Sequence, residues 1–228
     1  MVEVLDWDSE FFGYKVGQIV LTENKKVDEA AILRWSENFK LVYVISDSEE
    51  KFKSSRIQLV DIKTRLTKKI KALRERFIDS NYIEGESYND QQLISLALQS
   101  GAFSRFKKDS NFVNDEFYKL YHKWISDSLN KKIADKVIVF KKELIPKGLL
   151  TLSFKNTFAE IGLLSVDEFS RGEGIGQSLL MYADEITIAK GLMEVQVSTQ
   201  LQNFPAMQLY KKVGYSILYK KYIYHIWN

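Results

Sequence analysis

The chain has 228 residues, 45% apolar and 28% charged, with two prolines, the profile of an ordinary globular protein without a low-complexity linker. A net charge of +3 is too small to argue for a nucleic-acid partner; with no cysteine and only His122 and His225, disulfides are excluded and no metal centre is expected. No run of about 18 apolar residues is available to span a membrane, and the acids of "MVEVLDWDSEFFG" stand where an export signal carries lysines, so the expected compartment is the cytoplasm.

The first hundred residues read as mixed α and β. "KLVYVIS" (40–46) has the short apolar run of a buried strand, and "RIQLVDIKTRLTKK" (56–69) alternates enough to be another. "DQQLISLALQSG" (90–101) reads as a helix stopped at Gly101. In "NDEFYKLYHKWISDSLN" (114–130), Phe117, Leu120, Tyr121, Trp124, Ile125 and Leu129 recur at three- and four-residue steps and form one apolar stripe. The lysines of "RLTKKIKALRER" and "SLNKKIADK" read as solvated faces.

After residue 135 the pattern changes. "DKVIVFKKE" and "KGLLTLSFK" are strand-like, with Ile145-Pro146-Lys147 between them as a hairpin or loop signal. "TFAEIGLLSV" (157–166) is a third strand, followed by a glycine cluster and a helix to about Lys190, where Gly191 suits a left-handed cap. "LMEVQVST" (192–199) is a strand and "FPAMQLYKKVG" (204–214) a short helix with Pro205 in its first turn. "YSILYKKYIYHIW" closes the chain as a strand whose apolar edge suggests pairing across a homodimer. The whole predicts an α/β protein built on a compact mixed sheet.

The glycine cluster is "SRGEGIGQSLL", with Gly172, Gly174 and Gly176 at every second position before the helix. A helix N-terminus has unpaired amides and partial positive charge, so a turn stripped of side chains there reads as an anion cradle. A dinucleotide fingerprint requires a glycine at the sixth position, but Gln177 and Leu179 occupy it. A phosphate-binding P-loop requires Lys-Ser or Lys-Thr after the last glycine, where Gln177-Ser178 stands.

The run Arg171-Gly172-Glu173-Gly174-Ile175-Gly176 resembles the Gln/Arg-x-x-Gly-x-Gly/Ala loop of the GNAT superfamily of acetyl-CoA-dependent N-acetyltransferases. A second segment, Asn203 to Tyr210 followed by Lys212-Val213-Gly214-Tyr215, resembles that family's Asn-x-x-Ala-x-x-x-Tyr…Gly-Phe/Tyr element. The resemblance implies the GNAT acyl-CoA N-acyltransferase fold, with acetyl-CoA as co-substrate. It implies that Arg171, Gly172, Gly174, Gly176 and Gln177 hold the pyrophosphate of the cofactor, that Leu164, Ser165 and Val166 meet its pantetheine arm on a strand splayed from the next, that Asn203 contacts the cofactor, and that Tyr210 protonates the departing thiolate.

"LDWDSEFFGYKVGQI", residues 103–140 and "STQLQN" resemble the dTDP-fucosamine acetyltransferases of bacterial surface-polysaccharide synthesis. That resemblance implies a divergent N-terminal α/β domain over 1–102 and an acetyltransferase domain over 103–228. It also implies a TDP-linked 4-amino-4,6-dideoxyhexose as the partner, acetylated by direct attack. Arg105 and Lys107 beside Phe103 and Phe106 offer charge next to stacking surfaces for such a nucleotide. No base is assigned: Asp6, Asp8, Glu10, Glu84 and Glu86 are acids without a placed role, and a water chain would also serve. Acetylation of a protein or another small amine, or a non-catalytic acetyl-CoA-binding module, remain alternatives at this point.

Overall fold

The computed structural model describes residues 2–22, 28–71, 82–84 and 90–228. Its elements in chain order are β1 (Glu3–Val4), α1 (Asp6–Phe12), β2 (Val16–Leu21), α2 (Glu29–Ser36), β3 (Leu41–Ser46), β4 (Gln58–Lys69), β5 (Tyr82–Glu84), α3 (Asp90–Ser100), α4 (Arg105–Lys108), α5 (Glu116–Leu129), β6 (Lys136–Lys142), β7 (Ile145–Phe154), β8 (Ala159–Val166), α6 (Ile175–Ala189), β9 (Glu194–Gln200), α7 (Phe204–Lys212) and β10 (Ser216–Trp227). All ten strands join one mixed sheet in the order β1-β2-β3-β10-β4-β9-β8-β7-β6-β5. No helix among the described residues is long and apolar enough to cross a membrane.

Both faces of the sheet are covered. On one face, Ile175, Leu179, Leu180 and Ala183 of α6 pack with Tyr210 of α7 onto Ile138, Leu150, Leu152, Ile161 and Val197. On the other, Leu93, Leu96 and Ala97 of α3 and Tyr121 and Ile125 of α5 cover Val137, Val139, Leu149 and Leu163. Toward the chain start, Ile32 of α2 packs on Ile19, Val42, Val44, Tyr224 and Ile226. Phe12 of α1 joins the cluster of Val16, Leu41 and Tyr43. This two-sided burial explains why the strands carry apolar residues at adjacent as well as alternate positions.

Three local features depart from the sequence expectation or were not anticipated by it. The β6–β7 turn sits at Glu143 and Leu144, both left-handed (φ 51° and 67°), as a tight hairpin requires. Ile145-Pro146-Lys147 instead begins β7, and Pro146 pairs with Lys141 just past a register shift that spares its missing N–H. The N-terminal "DWDSEFF" forms a helix, closed by Gly13 in the left-handed conformation. Finally, β10 is interior, with Tyr222–Trp227 pairing β3 and Ser216–His225 pairing β4. A free edge on its β3 side is left only along Ser216–Lys221, beyond the last pair with β3. Gly85 and Glu86 lie outside the described residues.

Candidate active site

The site begins with a bulge. In the antiparallel β7–β8 pair, Leu150 faces Leu164 and Leu152 faces Ile161, so Gly162 and Leu163 together oppose the single residue Thr151. A bulge bends its strand and increases local twist. The Thr151 hydroxyl accepts the Leu163 amide at 2.8 Å, holding the distortion in place. A Cβ at position 162 would lie 2.9 Å from that same hydroxyl oxygen, a close approach that glycine permits.

The sheet forks at this point. β8 and β9 pair in parallel only from Ala159–Val195 to Ile161–Val197. Beyond the bulge, Leu164 to Val166 stay with β7, while Ser198 to Gln200 stay with β4. The crevice between them opens into a cavity of about 600 Å³ lined by Leu163, Leu164, Ser165 and Val166 on one side and Val197 to Gln200 on the other.

The glycine turn borders this cavity, with Arg171, Gly172, Gly174, Gly176 and Gln177 all lining it. Gly172 and Gly174 have φ of 85° and 84°, a backbone region that other residues enter at a cost of about 1–2 kcal/mol. Gly174 is the N-cap of α6 and supplies no side-chain oxygen to its first turn. The first amide of α6 to find a helical acceptor is that of Ser178, bonded to the Gly174 carbonyl at 3.0 Å. The amides of Ile175, Gly176 and Gln177 are thus left for an anion. Arg171 folds back, its Nε donating to the Val166 carbonyl at 3.3 Å and its terminal nitrogen to Gln99 Oε1 at 3.4 Å.

α7 forms a further wall. Asn203 caps it, its Oδ1 accepting the Ala206 amide at 3.4 Å and its Nδ2 donating to Thr199 Oγ1 at 3.2 Å. Asn203 thereby ties α7 to the end of β9, at the cavity wall. Tyr210 lies two turns on, lines the cavity and is 3% exposed. Burial alone pushes its phenol far above the ordinary tyrosine range, so the hydroxyl keeps its proton at neutral pH. Among the described residues no group hydrogen-bonds that hydroxyl, and its ring packs against Tyr215 at 5.4 Å.

All ten residues singled out from the sequence therefore meet at one cavity. The far wall was foreseen in part: Arg105, Phe103 and Phe106, expected from the sequence beside an acceptor nucleotide, line it, whereas Asp61 and Lys63 were not expected. Asp61 and Lys63 reach it from β4, and Arg105 from α4. The Arg105 guanidinium lies 4.3 Å from the Phe106 ring centre and 5.0 Å from that of Tyr43. Phe103 and Phe106 line the cavity, whereas Lys107 is turned onto Phe117 at 5.1 Å. Asp8 accepts the Tyr43 hydroxyl at 3.3 Å; it, Asp6 and Glu10 lie off the cavity wall. The one cue to Asp61 in the sequence is an acid interrupting the apolar run "QLVDI", a weak signal on its own.

Residues 104–215 match the model of the acetyltransferase (GNAT) family. The chain is similar to the spore coat polysaccharide biosynthesis protein SpsD of Bacillus subtilis, at 25% identity over 62% of this chain and 49% of that protein. It is also similar to a streptothricin acetyltransferase of Escherichia coli, at 32% identity over 33% of this chain and 43% of that enzyme. It thus spans about half the length, or less, of these curated relatives. A crystal structure of a GCN5-related N-acetyltransferase from Sphaerobacter thermophilus shares the fold, with a TM-score of 0.62 over 98% of this chain and 75% of that one, at 11% identity. The glycine turn, the forked sheet and the capped helix bearing Tyr210 all fall within residues 104–215, the stretch that matches the GNAT acetyltransferase family.

Proposed function

We propose that the protein transfers the acetyl group of acetyl-CoA to the amino group of a nucleotide-linked amino sugar, a TDP-4-amino-4,6-dideoxyhexose, for surface-polysaccharide synthesis. The observation that carries the transfer reading is the fork itself: one cavity is lined both by unpartnered helix amides and by a buried, protonated phenol. The amides of Ile175 to Gln177 suit the diphosphate of coenzyme A, and the positive φ of Gly172 and Gly174 leaves room for it. Main-chain groups along Leu164 to Val166, on the edge that β9 leaves, suit its amide-bearing arm. Acetyl-CoA supplies the acyl carbon as a thioester and leaves as a thiol. Tyr210 is placed to give the sulfur its proton, a contribution of about 10²- to 10⁴-fold.

The sugar reading draws on the polysaccharide role named for the Bacillus relative and on the wall formed by Asp61 and Lys63 of β4 and by Phe103 to Phe106. Arg105 and Lys63 offer positive charge for a diphosphate, and Phe103 and Phe106 offer rings for a base. In this reading residues 1–102 supply acceptor specificity and 103–228 supply the transfer machinery. The test is thiol release from acetyl-CoA with a panel of amines: TDP-4-amino-4,6-dideoxygalactose, the matching UDP sugar, streptothricin and a lysine peptide. Turnover fastest with the TDP sugar is expected. Equal rates across the panel defeat the sugar assignment, and no thiol release with any amine defeats the transferase reading.

A further inference from the structure

Among the cavity residues that the transfer reading leaves without a role is a buried carboxylate. Asp61 projects from β4, is 3% exposed and lines the same cavity as Tyr210. Its Oδ1 is buried with no hydrogen-bond partner among the described residues. So is the Nε of Arg105, which lines the same wall. A buried carboxylate oxygen left unpaired is costly, and most such atoms in folded proteins are satisfied. Two residues that line one cavity, one keeping a buried acceptor unpaired and the other a buried donor, mark the place of a ligand that carries a cationic or N–H group beside an oxygen.

We propose that Asp61 binds the acceptor amine and is the base that takes its proton before transfer, with Arg105 holding a neighbouring oxygen of the same acceptor. This rests on the transferase reading above. The balance is as follows. The acceptor enters as an ammonium ion and gives one proton to the Asp61 carboxylate, which passes it to solvent. The freed nitrogen lone pair forms the bond to the acyl carbon, the carbon–sulfur bond breaks, and its electron pair goes to sulfur. Tyr210 protonates the sulfur and is itself reprotonated by the second proton that the nitrogen loses. The sum is amide, thiol and one proton released.

The surroundings suit the task. Arg105 and Lys108 act on Asp61 from α4, Lys63 from its own strand, and Tyr121 shares its field from α5; its direct neighbour on β10 is Ile223. Burial outweighs the pull of these cations and pushes the Asp61 carboxyl up to about 6. A base near that value is ionised at neutral pH and still strong enough to accept a proton.

The experiment compares wild type with Asp61→Asn and Asp61→Glu, using TDP-4-amino-4,6-dideoxygalactose and a lysine peptide as acceptors. For Asp61→Asn, kcat/KM is expected to fall by about 10²- to 10⁴-fold. The acidic limb of the wild-type pH profile, with a midpoint near 6, is expected to vanish, and acetyl-CoA affinity to stay unchanged. Asp61→Glu restores part of the rate. Calorimetric titration of the TDP sugar onto CoA-loaded protein gives a readout free of turnover, in which Asp61→Asn weakens binding at least tenfold. Loss of activity within threefold, or an acid limb that survives in Asp61→Asn, overturns the assignment. So does unaltered affinity for the TDP sugar, or a wild type that binds acetyl-CoA and neither acceptor. If only the peptide is turned over, the nucleotide-sugar reading falls while the role of Asp61 is still read from the peptide's profile.

Discussion

Tyr210 and Asp61 are both buried at one cavity, and burial acts on them in opposite functional senses. For Tyr210 it secures the protonated form. Tyr210→Phe removes the acid and little else, because the hydroxyl has no partner among the described residues. Turnover should fall by about 10²- to 10⁴-fold while acetyl-CoA affinity and melting temperature stay close to wild type; normal turnover in a stopped thiol assay refutes the role. For Asp61, burial penalises the charged form, so ionisation at neutral pH costs stability. Its folded value, about 6, stands above its ordinary 3.8. The penalty is therefore absent below about pH 4, grows between 4 and 6, and is complete above 6. Asp61→Asn is expected to stabilise the protein by roughly 2–3 kcal/mol at pH 7.5 and by nearly nothing at pH 4. Denaturant titrations at both values check this, and a pH-independent difference rules it out. Tyr210 was legible in the sequence because the motif that carries it is local, spanning Asn203 to Gly214. Asp61 was not, because strand pairing across most of the chain is what brings it to the same cavity as Tyr210.

At the scale of elements, two devices make the crevice: the glycine turn and the bulge. Gly174→Asp combines a left-handed backbone strain of about 1–2 kcal/mol with a carboxylate placed at the α6 amides. Acetyl-CoA affinity is expected to fall at least a hundredfold by calorimetry, and wild-type affinity would show that no diphosphate sits there. The bulge depends on Thr151, 2% exposed, whose hydroxyl accepts the Leu163 amide. Thr151→Val keeps the shape and removes the acceptor, leaving a buried N–H unpaired at about 1–3 kcal/mol. A lower melting temperature together with weaker acetyl-CoA binding is expected, since the splay of Leu164 to Val166 starts at this bond. Lowered stability with unaltered binding would separate the bulge from the site. The glycine turn could be read directly, as its residues are consecutive. The bulge could not: Gly162 signals one only weakly, and its partner Thr151 lies on a different strand.

For the whole molecule, the decisive feature is where β4 goes. Strands and helices after residue 135 followed their local patterns, and the order of elements there was legible. The insertion of β4, from the first third of the chain, between β9 and β10 was not, because an alternating strand does not name its neighbours. β4 is also held by side chains. Arg65 pairs with Glu160 of β8 and donates to Gln196 of β9 at 2.9 Å, and Lys68 pairs with the buried Asp184 of α6 at 2.5 Å. A fragment of residues 103–228 would thus lose a strand from inside its sheet and leave β9 and β10 without their shared partner. It would also strand the Asp184 carboxylate, a loss on the order of 3–5 kcal/mol against a total stability of only about 5–15. The fragment is expected to fail to fold and to bind no acetyl-CoA, whereas the full chain melts in one calorimetric transition with equal van't Hoff and calorimetric enthalpies. Two transitions, or a fragment that folds and binds the cofactor, would show that the matched stretch stands without β4. In that case Asp61 and Lys63 would sit on a separable wall, and acceptor choice could be exchanged by swapping residues 1–102 between relatives. With one transition, the acceptor wall and the acetyl site are a single cooperative unit, and a change of acceptor must come from substitutions within β4 and α4.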